Sequence, residues 1–245
     1  MPQTTYDVRV AMRDGVQLSA DVWRPDTVEP VHVVLGRTPY GKNNERAARF
    51  GKLFAEQGLA FVMMDVRGRG DSDGQFQPYV NDARDGVDVI AWLAEQDWCS
   101  GSVATLGGSY GGLIQWLTAL HKPPALKAMI AMVSPSDPFV EFPTGTTVPM
   151  MLSWHRLTSG RVMQQLGDVD WESVYRHLPL MTMDEAAGFS APHWREQLSH
   201  PVLDEFWAPK QYQARLGELD VPTLHISGWY AVSYTHLTLP TKRIV

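Results

Sequence analysis

Short apolar runs and amphipathic stretches alternate from the N-terminus to about residue 133. Tyr6–Ala11 and Val16–Val22 read as two strands, and Asp14-Gly15 between them suits the positive φ angles of a tight turn, so the chain opens on an antiparallel hairpin. The valine-rich run 31–35 reads as a buried strand, with Gly36 to Gly41 as the loop that follows. Ala47, Phe50, Leu53 and Phe54, spaced by three and four, predict a helix across 43–57 that Gly58 stops. Leu59–Met64 is a further strand, ending at Asp65. A polar, glycine-rich stretch, 67–77, leads into a helix with Val87, Ile90, Ala91 and Ala94 expected on its apolar face. Ser102–Leu106 predicts a strand, Tyr110–His121 a helix and Leu126–Val133 a last strand. This alternation predicts an α/β fold: a doubly wound, mostly parallel sheet whose ligands meet the carboxyl ends of its strands.

The character changes at Ser134. From there to Leu219 the chain carries Pro135, Pro138, Pro143, Pro149, Pro179, Pro192, Pro201 and Pro209, many Trp and Met residues, and no valine-rich runs. We expect a helical cap inserted into the sheet domain, which divides the chain into a core over 1–133, a cap over 134–219, a return strand over 220–231 and a tail over 232–245.

With 245 residues, 44% hydrophobic and 20% charged, the chain is long enough and apolar enough for one real core, which excludes disorder. A net charge of −6 offers no footprint for a polyanion, so neither nucleic acid nor an anionic membrane is an expected partner. Cys99 is the only cysteine and is expected to behave as a small buried hydrophobe; no disulfide or thiolate metal site can form within the chain. Met1–Thr5 has no signal-peptide character and no run approaches the roughly 20 apolar residues of a membrane span, so a cytoplasmic location is expected.

One motif carries chemistry. Gly107-Gly108-Ser109-Tyr110-Gly111 is a G-x-S-x-G sequence between a predicted strand and a predicted helix, the context of a nucleophile elbow. The sharp turn crowds the backbone, so small residues at 107 and 111 avoid clashes while Ser109 Oγ is thrust out. The Tyr110 N–H then stands at a helix N-terminus, facing a developing oxyanion. The alternative is a glycine turn with Ser109 as an ordinary helix cap. Other motifs fail: Arg69-Gly70-Asp71 spells an adhesion peptide without a secretory signal, Asp73 breaks a dinucleotide fingerprint, and Phe76 breaks a calcium loop. No metal site and no organic cofactor is expected.

Taken in order, the hairpin near Tyr6, Arg37-Thr38-Pro39-Tyr40, Asp65-Val66-Arg67-Gly68, Trp98-Cys99-Ser100-Gly101, the Ser109 elbow and Gly228-Trp229-Tyr230 resemble the cocaine esterase and X-prolyl dipeptidyl peptidase family of serine α/β-hydrolases. The resemblance implies an α/β-hydrolase fold and cleavage of a small-molecule ester or amide, or of a short peptide, through an acyl-enzyme. By position it makes the Tyr40 hydroxyl the second oxyanion donor, and the loop after the third strand is where this fold places that donor. Asp65 and Arg67 read as loop-fixing residues. In the cap Trp154, His155 and Trp171, and Trp229 after the return strand, are candidates for lining the substrate pocket, beside the alternative that they only pack. Asp137 and Glu141 are the acids that could hold a substrate amine if the activity is X-Pro dipeptidyl cleavage.

The resemblance also exposes a gap. The family's catalytic aspartate follows Gly-Trp-Tyr, where this chain has Ala231, and its histidine lies farther on than Val245. His225, expected to point from a buried strand, and His121, at a helix end, do not fit the role of base. Val232 to Thr241 resembles the translation of a transposase sequencing adapter, so residues 232–245 are expected to be non-native, His236 included, and the chain to be a C-terminally truncated fragment. Such a fragment is expected to expose its last strand, to fold poorly and to turn over little substrate. A non-catalytic, hydrolase-like binding module remains the alternative from another class.

Overall fold

The computed structural model describes residues 2–139 and 149–228. Seven strands form one sheet: β1 (Gln3–Ala11), β2 (Gln17–Arg24), β3 (Val31–Thr38), β4 (Ala60–Asp65), β5 (Cys99–Gly108), β6 (Leu126–Met132) and β7 (Thr223–Ile226). Their order across the sheet is β1-β2-β4-β3-β5-β6-β7. The hairpin β1–β2 and the pair β2–β4 are antiparallel, and every other neighbouring pair is parallel. The doubly wound, mostly parallel α/β sheet expected from the alternation is therefore present. Gly15, at φ +83°, closes the hairpin, whose loop runs from Met12 to Val16 through the Gly15 N–H to Met12 carbonyl bond of 2.8 Å.

Helices α1 (Glu45–Glu56), α2 (Asp82–Ala94) and α3 (Tyr110–Ala119) cover the sheet. Asn44 caps α1 by accepting from Ala47 N–H, as a short polar side chain should. Two faces form: α1 packs on Trp23, Val34 and Phe61, while α2 and α3 bury the larger core around Val33, Val62, Leu93, Val103 and Leu113. Two amphipathic faces differ from expectation. In α1, Leu53 is 48% exposed, and Ala47, Gly51 and Ala55 are the buried positions. A Cβ on Gly51 would lie 2.3 Å from the Trp23 ring, so close helix–sheet contact, not side-chain size, decides which stripe faces in. In α2, Ala91 is exposed and the inward face is Asp82, Asp85, Gly86, Val89, Ile90 and Leu93. Its two acids are drawn in by ion-pair and hydrogen-bond partners that a periodicity count scores as polar.

The described residues between β6 and β7 carry helices and turns without strands. They include α4 (Met150–Leu157), α5 (Trp171–Val174), α6 (Met183–Ala186) and α7 (Pro192–Leu198), followed by 3₁₀ turns at Ala208–Lys210 and Gln213–Glu218. This insert has its own small core around Leu152, Val174, Met183 and Trp194. β7 lies at one edge, and among the described residues β6 is its sole neighbour; Leu224 and Ile226 are 57% and 46% exposed. His225, expected in a buried strand, is exposed there and stacks on Trp116 at 5.1 Å.

Candidate active site

β5 delivers Ser109 to the carboxyl edge of the sheet, beside β6. Ser109 N–H donates to the Met132 carbonyl at 3.0 Å, and α3 begins one residue later. Ser109 sits at φ +54°, ψ −123°, a conformation that costs a non-glycine residue about 1–3 kcal/mol and is held only by its surroundings. Those surroundings are visible at the glycines: a Cβ on Gly107 would lie 2.4 Å from the Gly111 carbonyl oxygen, and one on Gly112 2.9 Å from Ser134 Cβ. Ser109 is exposed and its side chain makes no helix-capping bond, which removes the ordinary-cap alternative. This is the strained bend that the G-x-S-x-G spacing calls for.

Tyr110 is the first residue of α3, so its N–H belongs to the set that a helix leaves unpaired. Its ring is fully buried. The phenol donates to Asp82 Oδ2 at 2.6 Å and accepts from the Tyr79 N–H at 3.1 Å, and the ring stacks on Tyr79 at 4.7 Å. Burial pushes the Asp82 carboxyl up to about 6, against the pull of Arg37 and of the Tyr110 hydroxyl, and holds the Tyr110 phenol well above its ordinary pKa. Arg37, also buried, donates to the Asp82 carbonyl at 2.7 Å and to Thr118 Oγ1 at 2.8 Å. Sequence reasoning passed over Asp82 and Tyr79; the signal was the spacing Asp82, Asp85, Val89 on one helical face, visible only if acids are allowed inward.

β3 neighbours β5, so its following loop emerges at the same edge and carries Tyr40. Trp154 of α4 donates Nε1–H to Tyr40 Oη at 3.1 Å, leaving the phenol's own O–H free to donate, and its ring stacks on Tyr110 at 5.7 Å. Tyr40, Trp154 and Tyr110, the residue that follows Ser109, are thereby brought together. Phe76 touches the rings of both Tyr110 and Trp154 and also lines a cavity of about 430 Å³ shared with His155, Arg161 and His193. Trp171 is not in this group: it packs on Tyr175 within the insert and donates to the Leu166 carbonyl. Trp229 lies outside the described residues, as do Glu141, Ala231 and His236.

Asp65 and Arg67 hold loops. Asp65 accepts from Lys42 N–H at 2.7 Å and Asp71 N–H at 3.2 Å, with burial raising its carboxyl to about 6, and Arg67 pairs with Asp14 and Asp85. Arg69, fully buried, joins the Tyr40 loop to the insert by donating to the Pro39 and Thr158 carbonyls, each at 2.8 Å. Asp137 is turned to the backbone, accepting from Tyr212 N–H at 2.6 Å and Gln213 N–H at 3.1 Å. Cys99 is buried and free. His155 is buried beside Trp154 and Trp194, burial lowering it to about 4. Among the described residues, no histidine is hydrogen-bonded to Ser109, and no group of three or more His, Cys, Asp or Glu side chains could hold a metal ion.

The family model for X-Pro dipeptidyl-peptidase (S15 family) matches residues 14–239. The cocaine esterase of Rhodococcus sp. (strain MB1 Bresler) is 33% identical over 248 residues, covering 91% of this chain and 43% of that protein. The chain thus spans less than half the length of this curated relative. Among solved structures, an α-amino acid ester hydrolase superposes with a TM-score of 0.77 at 26% identity, over 96% of this chain and 45% of its own. An aminopeptidase from a marine sediment archaeon, Thaumarchaeota archaeon, shares the fold at a TM-score of 0.76 and 24% identity, over 93% and 43% of the two chains.

Proposed function

The chain belongs to the X-Pro dipeptidyl-peptidase (S15) family, and we propose that Ser109 is the nucleophile of a serine hydrolase that cleaves a small ester or amide through an acyl-enzyme. The observation that carries the reading is the strained, exposed Ser109 next to an unpaired helix N-terminal N–H.

Ser109 Oγ attacks the carbonyl carbon, the carbonyl π electrons move onto oxygen, and the serine proton leaves to an imidazole. That base and its carboxylate come from residues other than those described. The tetrahedral oxyanion is met by the Tyr110 N–H and the Tyr40 O–H; because Trp154 donates to the Tyr40 oxygen, the Tyr40 O–H is left to donate to the oxyanion. A donor so placed contributes about 3 kcal/mol at the transition state, and the α3 dipole adds to it. Collapse expels the alcohol or amine and leaves an ester on Ser109, which water hydrolyses by the same route.

An ester substrate is favoured over an X-Pro peptide. The relatives named as esterase and ester hydrolase support it, and Asp137, the one of the two candidate acids for a peptide's free amine that lies among the described residues, is spent on the backbone of 212–213. A fluorophosphonate probe applied to the natural full-length protein should label Ser109 and fail to label Ser109→Ala. An aryl ester should be turned over faster than an X-Pro anilide. An unlabelled Ser109 would support a binding module instead, and a faster anilide would support the peptidase.

A further inference from the structure

Lys210 closes the 3₁₀ turn Ala208–Lys210 of the insert and is only 5% exposed. Its Nζ lies 3.2 Å from the Phe206 ring centroid and 5.4 Å from that of Trp207. Among the described residues its Nζ has no hydrogen bond and no ion pair, which separates it from the other buried lysine: Lys42 is neutralised by Asp7, Asp21 and Asp71 within 2.6 to 3.1 Å. Aromatic faces offset part of the cost of burying an ammonium but do not replace a counter-ion.

Lys210 also lines a cavity of about 270 Å³ between the insert and the loop before α2. Pro78, Val80, Phe206 and Pro209 give it apolar walls, and α7 contributes Glu196, Gln197 and His193. Neither nearby carboxylate forms an ion pair with Lys210: Glu196 Oε2 lies 3.4 Å from His193 Nδ1, and Asp204 Oδ2 lies 2.6 Å from His200 Nδ1. We propose that this cavity binds a small carboxylate that also carries a hydroxyl or amine, with the carboxylate on Lys210 Nζ, the donor group on Glu196, and a short methylene chain against the prolines and Val80. The donor is needed because Glu196 faces the same space and repels an anion that offers it nothing. Desolvation holds Lys210 down at about 8 even though Glu196 and Asp204 raise it, as removal of an ammonium from water does when no carboxylate is in contact with it.

The probe is 4-hydroxybutyrate, with butyrate and 1,4-butanediol as comparators, on the full chain. A bound carboxylate stabilises the ammonium, so 4-hydroxybutyrate should slow acetylation of Lys210 by acetic anhydride several-fold and saturably, read by peptide mass spectrometry, with exposed Lys52 unchanged as the internal control. Butyrate should protect more weakly and 1,4-butanediol not at all. Ligand-detected NMR should show 4-hydroxybutyrate binding to the wild type and its loss in Lys210→Met. Should that variant fail to fold, Glu196→Gln serves: it should keep binding while losing the preference for 4-hydroxybutyrate over butyrate. Equal protection by 1,4-butanediol, undiminished binding to a folded Lys210→Met, or a preference unchanged in Glu196→Gln would overturn the proposal.

Discussion

The strand–serine–helix region around Ser109 and the insert between β6 and β7 solve the problem of building a site in opposite ways. Every residue of α3 is buried, and its polar members are paired inside: Gln115 donates to the Gly111 carbonyl at 3.0 Å and accepts from Thr105 Oγ1 at 2.7 Å, while Thr118 accepts from Arg37. The insert is assembled from helices of four to eight residues around a small separate core, with ion pairs such as Arg176–Glu172 lying exposed. It is fastened to the core loops by a few bonds, chiefly those of Arg69, of Arg161 to the Gly70 and Ser72 carbonyls, and of Trp154 to Tyr40. A nucleophile needs its backbone over-determined, which a packed sheet provides. A pocket wall needs only to be held, and stability there can be local.

Four experiments bear on this contrast. Gly107→Ala should do the most damage: the new Cβ meets the Gly111 carbonyl at 2.4 Å, and with backbone on both sides neither can yield, so we expect a loss of about 3 kcal/mol or more in a urea melt. A melt within 0.5 kcal/mol of wild type would mean the elbow is soft. Tyr40→Phe keeps the ring but removes the donor; in the natural full-length protein it should slow acylation by about 100-fold, close to 3 kcal/mol at the transition state, with little change in melting. Equal rates would remove Tyr40 from the oxyanion site. Arg69→Met leaves the Pro39 and Thr158 carbonyls unpaired and should cost about 2 kcal/mol, read as faster proteolysis near 158–170 while α3 amides keep their exchange protection. Loss of protection in α3 to the same degree would make the two regions one cooperative unit.

The fourth experiment reads a pH dependence confined to the insert. Burial lowers His155 to about 4 from an ordinary value near 6.5, so the unfolded chain binds the proton first, and stability is lost as pH falls from 6.5 toward 4. Trp154 and Trp194 flank the ring, so their fluorescence should report loosening in that window and His155→Phe should abolish it. An unchanged acid transition in His155→Phe would place the titrating group elsewhere.

Much of the sheet was legible because short valine-rich runs separated by glycine turns have few other ways to bury themselves. Some strands came out longer than read, β5 starting at Cys99 and β3 running to Thr38, since backbone pairing extends past the apolar stretch, while β6 ends at Met132 and β7 covers only Thr223–Ile226. The helix faces were harder. Leu53 was expected on the apolar face of α1 and Asp82 was passed over, yet the close approach of Gly51 to Trp23 leaves Leu53 outside and buried partners draw Asp82 in. Trp154 and Trp171 were indistinguishable as aromatic residues of a proline-rich segment; only the packing puts one on Tyr40 and the other on Tyr175.

The order of residues alone settled the alternating α/β architecture and singled out Ser109, because glycine spacing between a strand and a helix is a local steric requirement that neighbouring residues express. Arg69 as the rivet between two loops, the ring stack from Tyr79 through Tyr110 to Trp154, and the solitary charge of Lys210 emerged only from the folded chain. Each depends on groups distant in sequence meeting where water is excluded, and the strength of an ammonium, a guanidinium or a carboxyl there is decided by which partners arrive with it.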